Sequence, residues 1–131
     1  MERMSRIVRF EIQASNPQAL IAFYAALLGW KFSEVPARGY WRIDTGPAAE
    51  SALVGGLVQR AGPAPEDSQA ANAFICMVEV ASLDATLAQT VSLGASIALP
   101  KMPVPGVGWL AYIKDPDRNL LSLLQIDHSS V

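Results

Sequence analysis

The sequence predicts an α+β fold made of two βαβββ modules. Three observations carry this. Two stretches, residues 7–13 (IVRFEIQ) and 74–80 (FICMVEV), read as strands and each leads directly to a helix cap, Asn16 followed by Pro17 and then Ser82. Each helix is followed by three short strand candidates. The order occurs twice, at a repeat of ~55–65 residues that marks a duplicated supersecondary unit. A chain of 131 residues suits one domain. The expectation is a single domain over 1–131, with module one at 5–60, a linker at 61–73 and module two at 74–127.

The first strand places Val8, Phe10 and Ile12 on one face and Arg9, Glu11 and Gln13 on the other. Leu20, Phe23, Tyr24, Leu27 and Leu28 then recur at helical spacing, and Gly29 is a natural stop. Strands are expected at 30–35, 40–44 and 53–59, separated by turns at 36–39 and at Gly46-Pro47. Residues 60–73 (RAGPAPEDSQAANA) lose all periodicity and read as a surface linker. In the second half the helix after Ser82 carries the stripe Leu83, Leu87 and Val91 and ends at Gly94. Strands follow at 97–99, 109–114 and 120–126, with a proline-rich loop at 100–105 and a DPDR turn at 115–118. The glycines of Gly55-Gly56 and of 106–108 (GVG) mark tight turns or close backbone approach, and neither run has the Lys-Ser/Thr of a phosphate loop.

Composition narrows the function classes. Apolar residues make up 51% and charged residues 17%, below the usual quarter or so. This excludes disorder and points to an apolar pocket or a homodimer. The net charge of −2 argues against nucleic acid as a partner. No apolar run approaches the ~20 residues of a membrane helix, and Arg3, Arg6 and Arg9 interrupt the N-terminus, so a cytoplasmic protein is expected. The single cysteine, Cys76, reads as a small buried hydrophobe. With one histidine, His128, in the polar tail, no Ser-His-Asp or Cys-His arrangement exists.

Registering the two halves on Asn16 and Ser82 sets Arg9 opposite Ile75, Glu11 opposite Met77 and Gln13 opposite Glu79. The apolar even faces belong under the helices. The odd faces, with Arg9, Glu11, Gln13 and Glu79, must meet water or line a cavity. Arg9 and Glu11 project the same way. Either Arg9 binds an anionic or carbonyl oxygen while Glu11 orients it or acts as a base, or the two form an internal ion pair completed by Gln13 and Glu79. Trp41 and Trp109 either sandwich a flat ligand or pack in a core or interface. Met77 either adapts to an apolar ligand or fills a gap.

Phe23-Tyr24 with 28–30 (LGW), and Asp115-Pro116-Asp117 with Asn119 before the last strand, together resemble the vicinal oxygen chelate superfamily. That group includes glyoxalase I, bleomycin-resistance proteins, fosfomycin-resistance enzymes and extradiol dioxygenases. The pieces GYWRIDTG (39–46), GGLVQR (55–60) and LPKMPVPGVGW (99–109) look most like its glyoxalase/bleomycin-resistance branch, over roughly residues 5–127. The resemblance implies a curved, cup-like mixed sheet and, in metal-using members, ligands on its concave face. The matching positions here are Arg9, Ile75 and Ser122, none an ordinary ligand of a divalent metal. No metal and no cofactor are therefore expected. Arg118 stands where the family's turn has glycine, and would cost about 1 kcal/mol if its φ is positive.

Three functions follow. The first is a glyoxalase/bleomycin-resistance-like protein without the usual metal ligands, binding a small molecule in the cup through Arg9, Trp41, Met77, Trp109 and Ser122. The second is a lyase or isomerase using Glu11 or Glu79 as base, or holding a rearranged metal site. The third is a module whose cup is filled by side chains and which binds a protein partner.

Overall fold

The computed structural model describes residues 4–5, 7–36, 39–47, 53–71 and 74–131. Arg3 and Arg6, the middle of the turn expected at 36–39 and the end of the linker at 72–73 lie outside the described residues. The chain divides into two compact units, Met1–Gly62 and Pro63–Val131. Each repeats one plan: strand, helix, then three strands in a mixed four-stranded sheet whose first strand runs parallel to its last.

The first unit holds β1 (Arg9–Ala14), α1 (Pro17–Leu28), β2 (Lys31–Glu34), β3 (Tyr40–Asp44) and β4 (Val54–Gln59), in sheet order β1-β4-β3-β2. Asn16 caps α1 by accepting the Ala19 N–H at 3.3 Å, and Gly29 ends it with φ 73° while donating to Ala25. Leu20, Phe23, Tyr24 and Leu27 form the buried stripe. Trp30 stacks on Tyr24 with ring centroids 5.3 Å apart and meets Phe10 at 5.7 Å, which identifies the Phe10 side of the sheet as the helix side. Ile43 and Leu57, both fully buried, share that side through the pairings Ile43 to Gly55 and Ile12 to Leu57.

The glycines 55 and 56 make no turn. They lie inside β4, and their missing side chains make room for two aromatic rings on opposite faces. A Cβ on Gly55 would overlap the Phe10 ring on the helix side, and one on Gly56 would overlap the Tyr40 phenol on the other.

The second unit holds β5 (Met77–Glu79), α2 (Leu83–Ser92), β6 (Ser96–Val104), β7 (Gly108–Lys114) and β8 (Leu120–Ile126), in order β5-β8-β7-β6. Ser82 caps α2 through the Ala85 N–H at 3.2 Å. The buried stripe is Leu83, Leu87 and Thr90. Val91, expected in it, is exposed. Thr90 takes its place because its hydroxyl donates to the Thr86 carbonyl at 2.8 Å and so carries no unpaired polar group inward. The proline-rich stretch expected as a loop is mostly strand. Pro100 and Pro103 fit because β6 is the sheet edge, and its register against β7 shifts on both sides of Leu99.

Three further points concern the second unit. The strand drawn over 74–80 is regular only over Met77–Glu79, and both Phe74 and Cys76 are exposed rather than buried. The tail does not hang free: Gly106 N–H donates to Ser130 O at 3.1 Å, Ser130 Oγ to Val104 O at 2.9 Å, and His128 Nδ1 lies 3.0 Å from Gly106 O. Residues 63–71 belong to the second unit, held by Lys114 Nζ donating to Asp67 O at 2.7 Å and by Arg118 reaching the Pro65 carbonyl. Arg118 does adopt a positive φ, 65°.

Candidate functional site

In each unit the helix packs on one sheet face and leaves the other uncovered by it. The cross-strand pairings decide which side chains stand on that open face. In the first unit its middle row is Glu11, Gly56, Arg42 and Ser33, neighbours across β1, β4, β3 and β2. Arg9, Val54, Asp44 and Lys31 lie to one side of this row, and Gln13, Val58 and Tyr40 to the other. In the second unit the equivalent row is Met77, Ser122, Tyr112 and Leu99. Glu79, Leu124, Leu110 and Met102 form the row beside it.

The equivalence is the one the caps predict. The offset that carries Asn16 onto Ser82 also carries Glu11 onto Met77 and Gly56 onto Ser122. A second device obeys the same offset. Gln59 Nε2 donates to Ala14 O and Ser15 O, at 3.3 and 3.1 Å, just ahead of α1. Gln125 Oε1 accepts the Leu83 N–H at 2.8 Å at the start of α2. In both units the last strand thus anchors the entry of its helix.

The two open faces differ in chemistry. On the first, Glu11 accepts from Gln13 Nε2 at 2.9 Å. The internal ion pair with Arg9 does not form: neither Arg9 nor Arg42 has an acidic partner among the described residues, and both are exposed. The second face is mainly apolar, with Glu79, Lys114, Ser96, Ser122 and the Tyr112 phenol as its polar members. Ser122 is 1% exposed, and its hydroxyl has no hydrogen-bond partner. Cys76, ahead of Met77, has its thiol pKa raised because part of the side chain is withdrawn from water.

Trp41 and Trp109 stand on neither open face. Trp41 pairs with Leu57 and Glu34, in the row of the helix side. Trp109 pairs with Gln125, whose side chain holds α2. Its indole N–H donates to Asp127 at 3.2 Å, and Lys101, bonded to Asp84 of α2, sits 4.8 Å from its ring centre. Within each sheet these rings point away from Arg9, Glu11, Met77, Glu79 and Ser122, which favours the packing alternative over an aromatic sandwich. Tyr40, Arg42 and Tyr112 share the open faces; the sequence puts their strands in the cup wall and offers Arg42 as a neighbour of the Arg9 group, but which side chains of those strands face the same way depends on the cross-strand register.

The residues at the family's ligand positions do not fit a divalent metal. Arg9 is cationic, Ile75 has no donor atom, and Ser122 offers one neutral buried hydroxyl. Among the described residues no group of three or more His, Cys, Asp or Glu could hold a metal. No helix among them is long and apolar enough to cross a membrane.

A paired-module fold with one helix-free sheet face per module defines the glyoxalase/bleomycin resistance/dioxygenase class. The chain belongs to the glyoxalase-like domain family, whose model matches residues 9–124. No curated protein sequence matches the chain. Solved structures similar in fold include a glyoxylase/bleomycin resistance protein/dioxygenase domain from Frankia sp. EAN1pec, 16% identical, with 95% of this chain and 100% of that one covered and a TM-score of 0.71. The fosfomycin resistance protein FosX from Listeria monocytogenes is 16% identical over 95% of this chain and 96% of that one, TM-score 0.70. TnmS3, an antibiotic binding protein from Streptomyces sp. CB03234, is 19% identical over 97% and 100%, TM-score 0.68.

Proposed function

We propose that this protein binds a small organic molecule on the helix-free faces of its sheets, without a metal. The observation that carries the reading is the residue set Arg9, Ile75 and Ser122 at the family's ligand positions, on a fold that in TnmS3 serves an antibiotic binding protein. Arg9, Met77 and Ser122 remain the binding residues of the proposal, joined by Arg42, Tyr40 and Tyr112. A thermal-shift screen of metabolites and planar antibiotics, on protein analysed for bound metals, tests it. The expected result is at least one stabilising compound and no stoichiometric zinc, nickel, manganese or iron. About one such ion per chain, bound by inward side chains, would overturn the metal-free part.

The enzyme reading, a lyase or isomerase, has one observation in its favour. Gln13 orients the Glu11 carboxylate on the open face, as a base needs. Glu79 lies on the corresponding face of the second unit and is exposed. If Glu11 is a base, Glu11→Gln abolishes turnover of the screened compound while its binding persists.

We read the chain further as a single domain, 1–131, acting as a cytoplasmic homodimer. Its charged fraction of 17% and the exposed apolar side chains Phe74, Met77 and Val91 support self-association. Light scattering that returns the monomer mass of 14.0 kDa would contradict the dimer.

A further inference from the structure

We infer that the open face of the first unit recognises an oxyanion, the carboxylate or phosphonate of a small organic acid. This rests on the proposed use of that face for ligand binding, and adds the class of ligand.

The argument begins with the row Glu11, Gly56, Arg42. Two strand spacings of ~4.8 Å separate the outer members, within reach of an arginine leaning across the sheet. At the centre Gly56 has no side chain, and the Tyr40 phenol lies in the vacated space. Among the described residues that phenol has no hydrogen-bond partner, so its O–H is available over the middle of the row. Arg42 is within the row and Arg9 beside it, and among the described residues neither has an acidic partner.

Charge on the face settles the sign. Lys31 and Asp44 are direct cross-strand partners and offset one another. Glu11, held by Gln13, offsets one guanidinium and leaves the other in excess. Among the described residues the face thus offers two guanidinium groups without an acidic partner and one unbonded phenol, all suited to an oxygen carrying negative charge. A guanidinium offers a planar fork that meets a carboxylate or phosphonate with two parallel, charge-assisted bonds. A neutral amide or a cation would leave the excess positive charge unanswered. The equivalent row of the second unit, Met77, Ser122, Tyr112 and Leu99, has no such excess, so the preference belongs to the first unit alone.

The test is a titration of the ¹⁵N-labelled full chain, at matched ionic strength, with benzoate, phenylphosphonate and benzamide. It follows the Gly56 amide and the Arg9 and Arg42 side-chain N–H signals. The expected result is a saturable shift with one or both anions and none with benzamide. A tighter benzoate identifies a carboxylate ligand, and a tighter phenylphosphonate a phosphonate. Arg42→Gln and Arg9→Gln should each weaken the bound anion by about tenfold or more, and added salt should weaken it further. Both residues are exposed, so the variants should keep the wild-type spectrum elsewhere. Benzamide binding at Gly56 as tightly as benzoate, with Arg42→Gln unaffected, would overturn the oxyanion inference and leave the proposed function standing. Silence of Gly56 toward all three probes, with a thermal-shift hit still perturbing it, would overturn it likewise. Silence of every open-face residue toward probes and hits would remove the proposed function as well.

Discussion

Ser122 has a hydroxyl shut away from solvent in the middle row of the sheet face turned away from α2, and among the described residues it has no hydrogen-bond partner. Its backbone is satisfied, since its N–H donates to Cys76 O at 3.0 Å, so only the side chain is left over. A buried unpaired polar group costs ~1–3 kcal/mol. Ser122→Ala should therefore raise the unfolding free energy by about 1 kcal/mol, read from urea denaturation. A loss of stability would mean that the hydroxyl has a partner in solution. Position 122 was marked from the sequence as one of the ligand positions that the family resemblance implies. That its oxygen is orphaned was not legible there, because burial at one residue depends on its neighbours across three strands.

Within the elements, the glycine pair of β4 separates two kinds of close approach. Phe10 covers Gly55 from the helix side and is itself backed by Trp30. Tyr40 covers Gly56 from the open side, where the far end of its ring can swing away. Gly55→Ala should destabilise the chain by ~1–3 kcal/mol, as overpacking does, and Gly56→Ala by less than ~1 kcal/mol. Thermal denaturation of the two variants measures this, and equal losses would contradict the difference in backing. A second element, the end of β8 and the turn after it, carries a pH response. The Asp127 pKa is lowered by the Ser129 hydroxyl, then by the Ser129 backbone N–H, then by the Trp109 indole N–H. Because the folded pKa lies below the ordinary carboxylate value, the network contributes fully above that value and is lost as the pH falls through the lowered one. Acid titration should change Trp109 emission below about pH 4 and Asp127→Asn should abolish the change. An unaltered titration in the variant would remove Asp127 as its cause.

The elements themselves were largely readable, for local reasons. Caps at Asn16 and Ser82, the stop at Gly29 and the alternation around Arg9 are short-range signals, and the helices and β1, β3 and β8 stand where these signals place them. The misreadings are non-local. Prolines 100 and 103 enter a strand because β6 has a free edge, which only the sheet order reveals. Trp41 and Trp109 turn to the helix sides because a register is fixed by pairing, and a one-residue slip reverses every face.

At the scale of the whole molecule, one offset relates the helix caps, the rows Glu11-Gly56 and Met77-Ser122, and the two anchoring glutamines. Duplication of the plan without duplication of the side chains leaves one open face richer in charge and the other mainly apolar. We propose that a ligand is held on these faces rather than by the half-buried tryptophans or the loops. A crystal structure of the chain with the strongest thermal-shift hit tests it most directly. The account predicts ligand density against Arg9, Tyr40, Gly56 and Arg42, with Trp41 and Trp109 untouched. Density against the helix sides, at Trp41 or at Trp109, with the Gly56 row bare, would contradict it.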